Sequence, residues 1–263
     1  MYNNLRRLLF FCNPVLFLIC LYFVNLPLYG QDDSDSQIRR LINRVSNITP
    51  GRIHSEENKV KILDWREQFL DNTLDYNTPI VVMTYPRIDP NNAFTFTNSI
   101  ADIINAGNQL LYFEVSNQND LSLVLLMLSI KIPENQRISL VIGGHGTYNR
   151  ILLGGISSYS HFEGGANPVE THINNLSFFY SMRHLNITTL VLESCSTGDG
   201  ESYRHNLANA FSNHTEGMIF APTRVVDARS IRYFFDEDGH ITEVLFGNGI
   251  EDTFSIRGNY IRQ

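Results

Sequence analysis

The chain has 263 residues, which is enough for one large domain or two small ones. Its 43% hydrophobic and 18% charged residues are typical of a globular protein and exclude the disordered, collagen-like and coiled-coil classes. The net charge of -7, with no grouped lysines and arginines outside two short pairs, excludes nucleic acid as an expected partner, because neutralising phosphates takes clustered cations.

The first thirty residues have the order of parts found in a secretory signal peptide. Arg6 and Arg7 precede an apolar stretch at 8–28, and Gly30 then leads into an acidic run at 31–35. The uninterrupted apolar centre, 15–24, is short for a membrane span, although the whole stretch would be long enough for an uncleaved anchor. We therefore expect an exported protein (secreted, periplasmic or at the cell surface) that contacts a membrane only through this segment if it is uncleaved.

Removal of the leader leaves the mature chain with one cysteine. Cys12 and Cys20 lie in residues 1–30, so only Cys195 remains, in a compartment that is normally oxidising. No internal disulfide can then form. A lone cysteine can simply be a small buried apolar residue, and its neighbours must decide between that interpretation and a reactive thiol.

The next segment, 31–77, is polar with helical patches and is predicted to be a helical flank or prodomain. Ile38, Leu41, Ile42 and Val45 have helical spacing, and a second apolar series, which includes Trp65, predicts another amphipathic helix.

From residue 78 short apolar runs alternate with helical patterns. The predicted strands are 80–85, 110–115, 138–143, 151–153, 188–193 and 218–221, and the predicted helices are 97–106, 120–130, 169–185 and 203–212. Strands that are apolar throughout and alternate with helices indicate a parallel sheet covered on both faces. The fold class is therefore α/β, with helices on both faces of a mostly parallel sheet.

A β-hairpin is predicted at the C-terminal side of this sheet. Two strand-like runs, 232–235 and 241–246, flank a segment that ends in Asp238-Gly239-His240, and Asp-Gly is a strong turn signal. A calcium loop is the alternative, since Asp236 and Asp238 are two residues apart, but the third acidic ligand and the closing Glu of an EF-hand loop are missing.

Two predicted strands lead directly into residues that can do chemistry. The run 138–142 is followed by Gly143-Gly144-His145-Gly146, and the run 188–192 is followed by Glu193-Ser194-Cys195-Ser196-Thr197-Gly198. Ligands of α/β sheets bind at the carboxyl ends of the strands, so both reactive side chains lie where a site belongs. If the crossover makes the two strands neighbours, the thiol and the imidazole meet at one edge.

These two blocks, in this order and 50 residues apart, resemble the caspase-like cysteine peptidases of clan CD. The resemblance covers about residues 79–222, and its His-Gly and Ser-Cys motifs are nearest to metacaspase, legumain and CHAT-type sequences. It implies a caspase-like peptidase domain at 78–263, with a protein or peptide as substrate. It also implies that the backbone N–H groups of Gly146 and Cys195 form the oxyanion hole.

The chemistry assigns a role to each half of the dyad. A thiol with an ordinary pKa near 8.5 is mostly protonated at neutral pH, so Cys195 needs His145 to activate it or to protonate the leaving amine. Gly143, Gly144 and Gly146 would let a substrate backbone approach closely, with the flexible-loop interpretation as the alternative.

Substrate specificity is predicted from the acidic residue two positions before the cysteine. The resemblance places Glu193 in the pocket for the residue before the scissile bond (P1), where an acidic wall would favour Arg or Lys. Arg87, just past the first strand, could instead give a mixed pocket. Asp89, Asp199 and the loop 223–227 are further candidates.

Three functional hypotheses follow. The first is an exported cysteine endopeptidase that uses Cys195 and His145 and processes itself; the second is a catalytically inactive caspase-like binding or scaffold module. The third is an unrelated α/β hydrolase or binding domain with Cys195 buried, although the sequence has no Gly-x-Ser-x-Gly nucleophile elbow. Neither a cofactor nor a metal is expected, because one cysteine and scattered histidines give no closed ligand spacing.

Overall fold

A computed structural model describes residues 39–40, 42–43, 45–53, 55–89, 92–95, 97–148, 150–153, 161–163, 181–199, 206–247 and 252–260. The chain divides into two compact units, Met1–Ile42 and Asn43–Gln263, and the site lies in the second. The predicted signal peptide and residues 169–180 of the predicted helix 169–185 lie outside the described residues, and 181–183 form a helical turn. No helix among the described residues is long and apolar enough to cross a membrane.

A six-stranded sheet forms the centre of the second unit. Its strands are β1 (Ile80–Pro86), β2 (Gln109–Val115), β3 (Arg137–Gly143), β7 (Asn186–Glu193), β8 (Met218–Pro222) and β11 (Thr253–Arg257). Their spatial order is β11-β8-β7-β3-β1-β2, and every neighbouring pair is parallel except β11 with β8. The predicted α/β class with a mostly parallel sheet is therefore confirmed.

Four helices of the described chain flank this sheet: α1 (Glu56–Leu70), α2 (Ser99–Asn105), α3 (Gln118–Lys131) and α4 (Leu207–Ser212). Side-chain caps start three of them, since Ser55, Asn117 and Asn206 each accept a hydrogen bond from a backbone N–H three residues on. The first three helices contact β2, and α4 contacts β8 and β11.

The central strands are buried on both faces, which explains why their sequences are apolar throughout. Every residue of β1 and β2 is buried. Side chains alternate along a strand, so one face carries Val81, Met83 and Tyr85 and the other carries Val82. The first face packs with α2 and with Tyr233 in a single core cluster. Covering both faces leaves the carboxyl ends of the strands as the open edge.

Smaller sheets complete the unit. A hairpin of β9 (Arg232–Phe235) and β10 (Ile241–Leu245) turns through Gly239, whose φ of +79° suits glycine, so the predicted turn is confirmed. Three short antiparallel strands follow β3: β4 (His145–Thr147), β5 (Arg150–Leu152) and β6 (His161–Glu163). The sequence analysis predicted β5 but not β4, β6 or β11.

Candidate active site

The two reactive residues lie at the same edge of the sheet. Strands β3 and β7 are parallel neighbours, with Gly143 opposite Glu193, and the N–H of Gly144 donates to the Glu193 carbonyl at 3.2 Å. His145 and Cys195 each follow two residues beyond this pair. The strand register thus brings together the two motifs that the sequence analysis singled out.

A carboxylate fixes the imidazole of His145. Its Nε2 lies 3.0 Å from Oδ1 of Asp89, whose side chain is only 3% exposed. The other Asp89 oxygen accepts the backbone N–H of Phe94 at 2.8 Å, and the Phe94 ring packs edge-on against the imidazole at 5.5 Å between centroids. A carboxylate that accepts from Nε2 holds the proton of the neutral ring there, which leaves the lone pair of Nδ1 for a second group.

The turn that carries Cys195 is held against the loop after β8. The half-buried thiol donates to the carbonyl of Val226, with 3.7 Å between sulfur and oxygen. Ser196, at a φ of +57°, donates its N–H to the Arg224 carbonyl at 3.1 Å, and Gly198 donates to the Pro222 carbonyl at 2.9 Å. The predicted loop 223–227 therefore lies beside Cys195, whereas Asp199 is exposed at the end of the turn.

The glycines beside His145 are required by the packing of the chain itself. A Cβ at Gly146 would lie 2.0 Å from Oγ of Ser194 and 3.2 Å from the Cys195 carbonyl oxygen, and one at Gly144 would lie 2.5 Å from the Leu152 carbonyl oxygen. Gly146 thus lets β4 approach the turn that carries Cys195. The close contacts at Gly144 come from β5, so the structure supplies a packing reason for this glycine beside the predicted substrate role.

Glu193, the residue predicted to line the P1 pocket, points into the core. Its side chain is buried, and its two carboxylate oxygens accept hydrogen bonds from the hydroxyls of Tyr85 and Tyr233. Burial raises the pKa of the Glu193 carboxyl, although the two tyrosine hydroxyls act in the opposite direction. This position favours a role in holding the hairpin against the end of β7 over direct contact with a substrate.

A cleft of about 390 Å³ opens beside Asp89, and Arg87 is one of the residues that line it. Its lining comes from two segments: Thr49, Pro50, Gly51 and Arg52 on one side, and Arg87, Asp89, Asn92 and Thr95 on the other. Arg87 also donates to the Glu114 carbonyl at 3.4 Å. The cleft thus mixes basic, acidic and neutral polar groups next to the partner of His145.

Two parts of this site differ from the prediction. Asp89 is predicted only as a pocket candidate, although its position three residues beyond a buried parallel strand is a usable signal, since the strand ends share one edge. Thr49–Arg52 belong to the predicted flank, and no local pattern in the sequence marks those residues as part of a cleft.

No family model and no curated protein matches the chain. Among solved structures, the chain is similar to the crystal structure of caspase-1 from Spodoptera frugiperda. The two are 8% identical, with a TM-score of 0.33, and the match covers 56% of this chain and 58% of that chain. The match therefore spans less than two thirds of the length of that caspase.

Proposed function

We propose that the protein is an exported cysteine endopeptidase in which Cys195 is the nucleophile and His145 the acid–base. The observation that supports this most is that the two residues follow the ends of neighbouring parallel strands, with His145 bonded to the buried carboxylate of Asp89. A nucleophile, a base and a group that orients the base are the parts that nucleophilic acyl transfer needs.

In the proposed reaction, Cys195, His145 and water account for every proton transferred and every bond formed or broken. Nδ1 of His145 takes the thiol proton as Sγ of Cys195 attacks the scissile carbonyl carbon, and the N–H groups of Gly146 and Cys195 stabilise the oxyanion. The C–N bond then breaks, and His145 delivers the proton to the leaving amine nitrogen. Water, activated by His145, hydrolyses the thioester and restores the thiol and the neutral imidazole.

The P1 preference is a separate part of the proposal. The preference for Arg or Lys at P1 that was predicted from Glu193 stays a prediction. The Glu193 carboxylate, which would have to bind the substrate cation, already accepts hydrogen bonds from two tyrosine hydroxyls. The cleft that contains Arg87 is the other place where a substrate side chain could be held.

The test is active-site labelling followed by peptide cleavage. We expect an iodoacetamide or acyloxymethyl ketone probe to label Cys195 in the folded protein, and His145→Ala to abolish that labelling. Cys195→Ala should fold normally, because it removes one half-buried sulfur from a turn, and should cleave no peptide. Residual cleavage by pure Cys195→Ala would overturn the nucleophile assignment, and absence of both labelling and cleavage in the wild type would favour an inactive caspase-like module.

The wild type and Cys195→Ala together also test self-processing. Purified wild-type protein should shorten on incubation while Cys195→Ala keeps its full mass. If the two chains keep equal masses, self-processing is rejected while cleavage of other proteins is not.

A further inference from the structure

The exposed apolar side chains are not spread evenly over the part of the chain that the structure describes. Seven large apolar residues are exposed there: Val60, Ile88, Ile130, Tyr148, Leu152, Val225 and Phe234. Single exposed apolar residues are common on proteins, whereas exposed apolar surface concentrated at one place marks a binding surface. Four of these seven belong to the loops and short strands at the carboxyl edge of the sheet, where His145 and Cys195 lie.

Two of the four are placed near His145 by the strand pairing and by the chain. Leu152 is the antiparallel partner of His145 in the pairing of β4 with β5. Directly opposed residues in such a pair project from the same face, with Cβ atoms about 5 Å apart. Ile88 directly precedes Asp89, the carboxylate bonded to the imidazole. Leu152 is 41% exposed and Ile88 is 49% exposed, so Leu152 presents apolar surface on the face of the imidazole and Ile88 presents it one residue from the Asp89 carboxylate.

Val225 borders the nucleophile instead. It lies between Arg224, whose carbonyl accepts from Ser196, and Val226, whose carbonyl accepts from the Cys195 thiol. At 79% exposure, Val225 is the most exposed of the seven. The candidate site thus has exposed apolar side chains on both sides. Leu152 and Ile88 lie on the His145 side and Val225 lies on the Cys195 side, so substitutions can test the two sides separately.

We infer that Leu152 and Ile88 form the leaving-group subsite, which selects a large apolar residue directly after the scissile bond. This inference rests on the proposed function. The leaving amine nitrogen must lie beside His145 to receive its proton, so the residue that carries this nitrogen lies beside Leu152 and Ile88. An exposed apolar side chain gains most by covering apolar substrate surface, so the favoured partner is an extended peptide with Leu, Phe or a similar residue at that position.

The experiment compares two peptides that are identical except for Leu or Ser directly after the cleaved bond. We expect wild-type kcat/KM to favour the Leu peptide by about tenfold or more, the scale set by covering one apolar side chain. Leu152→Ser and Ile88→Ser should each remove most of that ratio. Ile130→Ser, an equally apolar change at an exposed residue of α3, is the remote control and should keep it. Val225→Ser, on the nucleophile side, should keep it as well.

Acyl transfer gives a second readout that does not depend on the acylation step. With the acyl-enzyme formed from one ester substrate, added leucinamide should compete with water better than glycinamide does, and Leu152→Ser should remove this advantage. An unchanged ratio of leucinamide to glycinamide transfer in both Leu152→Ser and Ile88→Ser would overturn the inference while leaving the peptidase assignment intact.

Binding separates a failure of this inference from a failure of the proposed function. If the wild type cleaves nothing, the affinities of the Leu and Ser peptides for Cys195→Ala, measured by fluorescence anisotropy, still test the subsite. Tighter binding of the Leu peptide that is lost in Cys195→Ala/Leu152→Ser would support an apolar subsite in a module without turnover. Equal binding of the two peptides would reject it.

Discussion

Asp89 is the residue that orients the imidazole of His145, and the proposed catalysis depends on that orientation. Asp89→Asn keeps the shape of the side chain but offers Nε2 an N–H donor, which favours the tautomer with its proton on Nδ1. We expect kcat to fall by about 10²- to 10⁴-fold with a much smaller change in KM, since the base then lacks its lone pair toward the thiol. Steady-state kinetics on a peptide substrate measures both constants.

The matched control for this change is Asp199→Asn. Asp199 is exposed at the end of the Cys195 turn, so its variant should keep the wild-type kcat. Equal losses in the two variants would show that general electrostatics near Cys195, and not the orientation of His145, carries the effect of Asp89.

Glu193 couples stability to pH. Burial raises the folded-state pKa of its carboxyl above the ordinary value of 4.5, so the folded protein holds a proton that the unfolded chain has already released. Its contribution to stability is therefore fully present below about pH 4.5 and is lost as pH rises through the folded-state pKa. Glu193→Gln cannot titrate, and its free energy of unfolding should lack this decline.

Chemical denaturation of wild type and Glu193→Gln at a series of pH values measures the difference. The wild type should lose stability relative to the variant as pH rises from about 4.5.

Cleavage of substrates with Arg or Leu at P1 by the same variant decides whether Glu193 is a structural residue or a residue of the P1 pocket. A structural Glu193 gives parallel changes for both substrates, whereas a selective loss for Arg would restore the predicted pocket role.

Among the elements, the edge strand β2 is joined to the segment before α1 by a buried charge. Both carboxylate oxygens of Glu114 accept from Thr49, at 2.8 Å from its N–H and 2.6 Å from its hydroxyl. The Arg52 guanidinium lies 3.7 Å away, and both charged side chains are almost completely buried. Tyr112 donates a further hydrogen bond to Glu114 at 3.0 Å. Thr49 and Arg52 are thereby fixed as one wall of the cleft.

Glu114→Ala tests this junction. Removing the carboxylate leaves the Arg52 cation buried without its partner, and we expect a loss of about 3–5 kcal/mol in the free energy of unfolding. Thermal or urea unfolding measures it. Glu57→Ala removes an exposed ion pair with Lys61 on α1 and should change stability little. If the two variants lose equal stability, the buried network contributes nothing specific.

At the scale of the whole molecule, the same contacts bear on the predicted boundary between a flank at 31–77 and a peptidase domain at 78–263. A chain that begins at residue 78 would lack Thr49, Arg52 and α1, and would expose to water the apolar side chains of β2 that α1 covers. We expect 78–263 to be insoluble or to melt without a cooperative transition, while 43–263 folds. A cooperative, active 78–263 would establish the predicted boundary instead.

The N-terminus of the exported protein tests whether the leader is removed. When the full chain is produced in a secreting host, the protein outside the cytoplasm should begin near residue 31, as read by intact mass. A product that retains residues 1–30 and sediments with membranes would identify the segment as an anchor.

Local sequence patterns are sufficient to predict the alternation of strands and helices and the two strand ends that carry His145 and Cys195. These features are local: a strand buried on both faces must be apolar throughout, and a reactive residue directly after it must lie at the sheet edge. The three-residue strands β4 and β6 were missed because they contain at most one apolar side chain and so carry no strand pattern. The five residues of β11 do alternate polar and apolar side chains, so this strand left a usable signal in the sequence.

The partners of the buried and half-buried polar side chains depend on how distant elements pack together. Strand alternation places Glu193 on the same face as Val191, but it does not reveal that the distant hairpin covers this face and supplies Tyr233. Asp89 meets His145 through a pairing of separate strand ends, and Thr49 and Arg52 meet Glu114 across more than sixty residues. Such partners are set by which elements pack together, because hydrogen bonds and buried charges depend on proximity in space and leave no periodic trace in the chain.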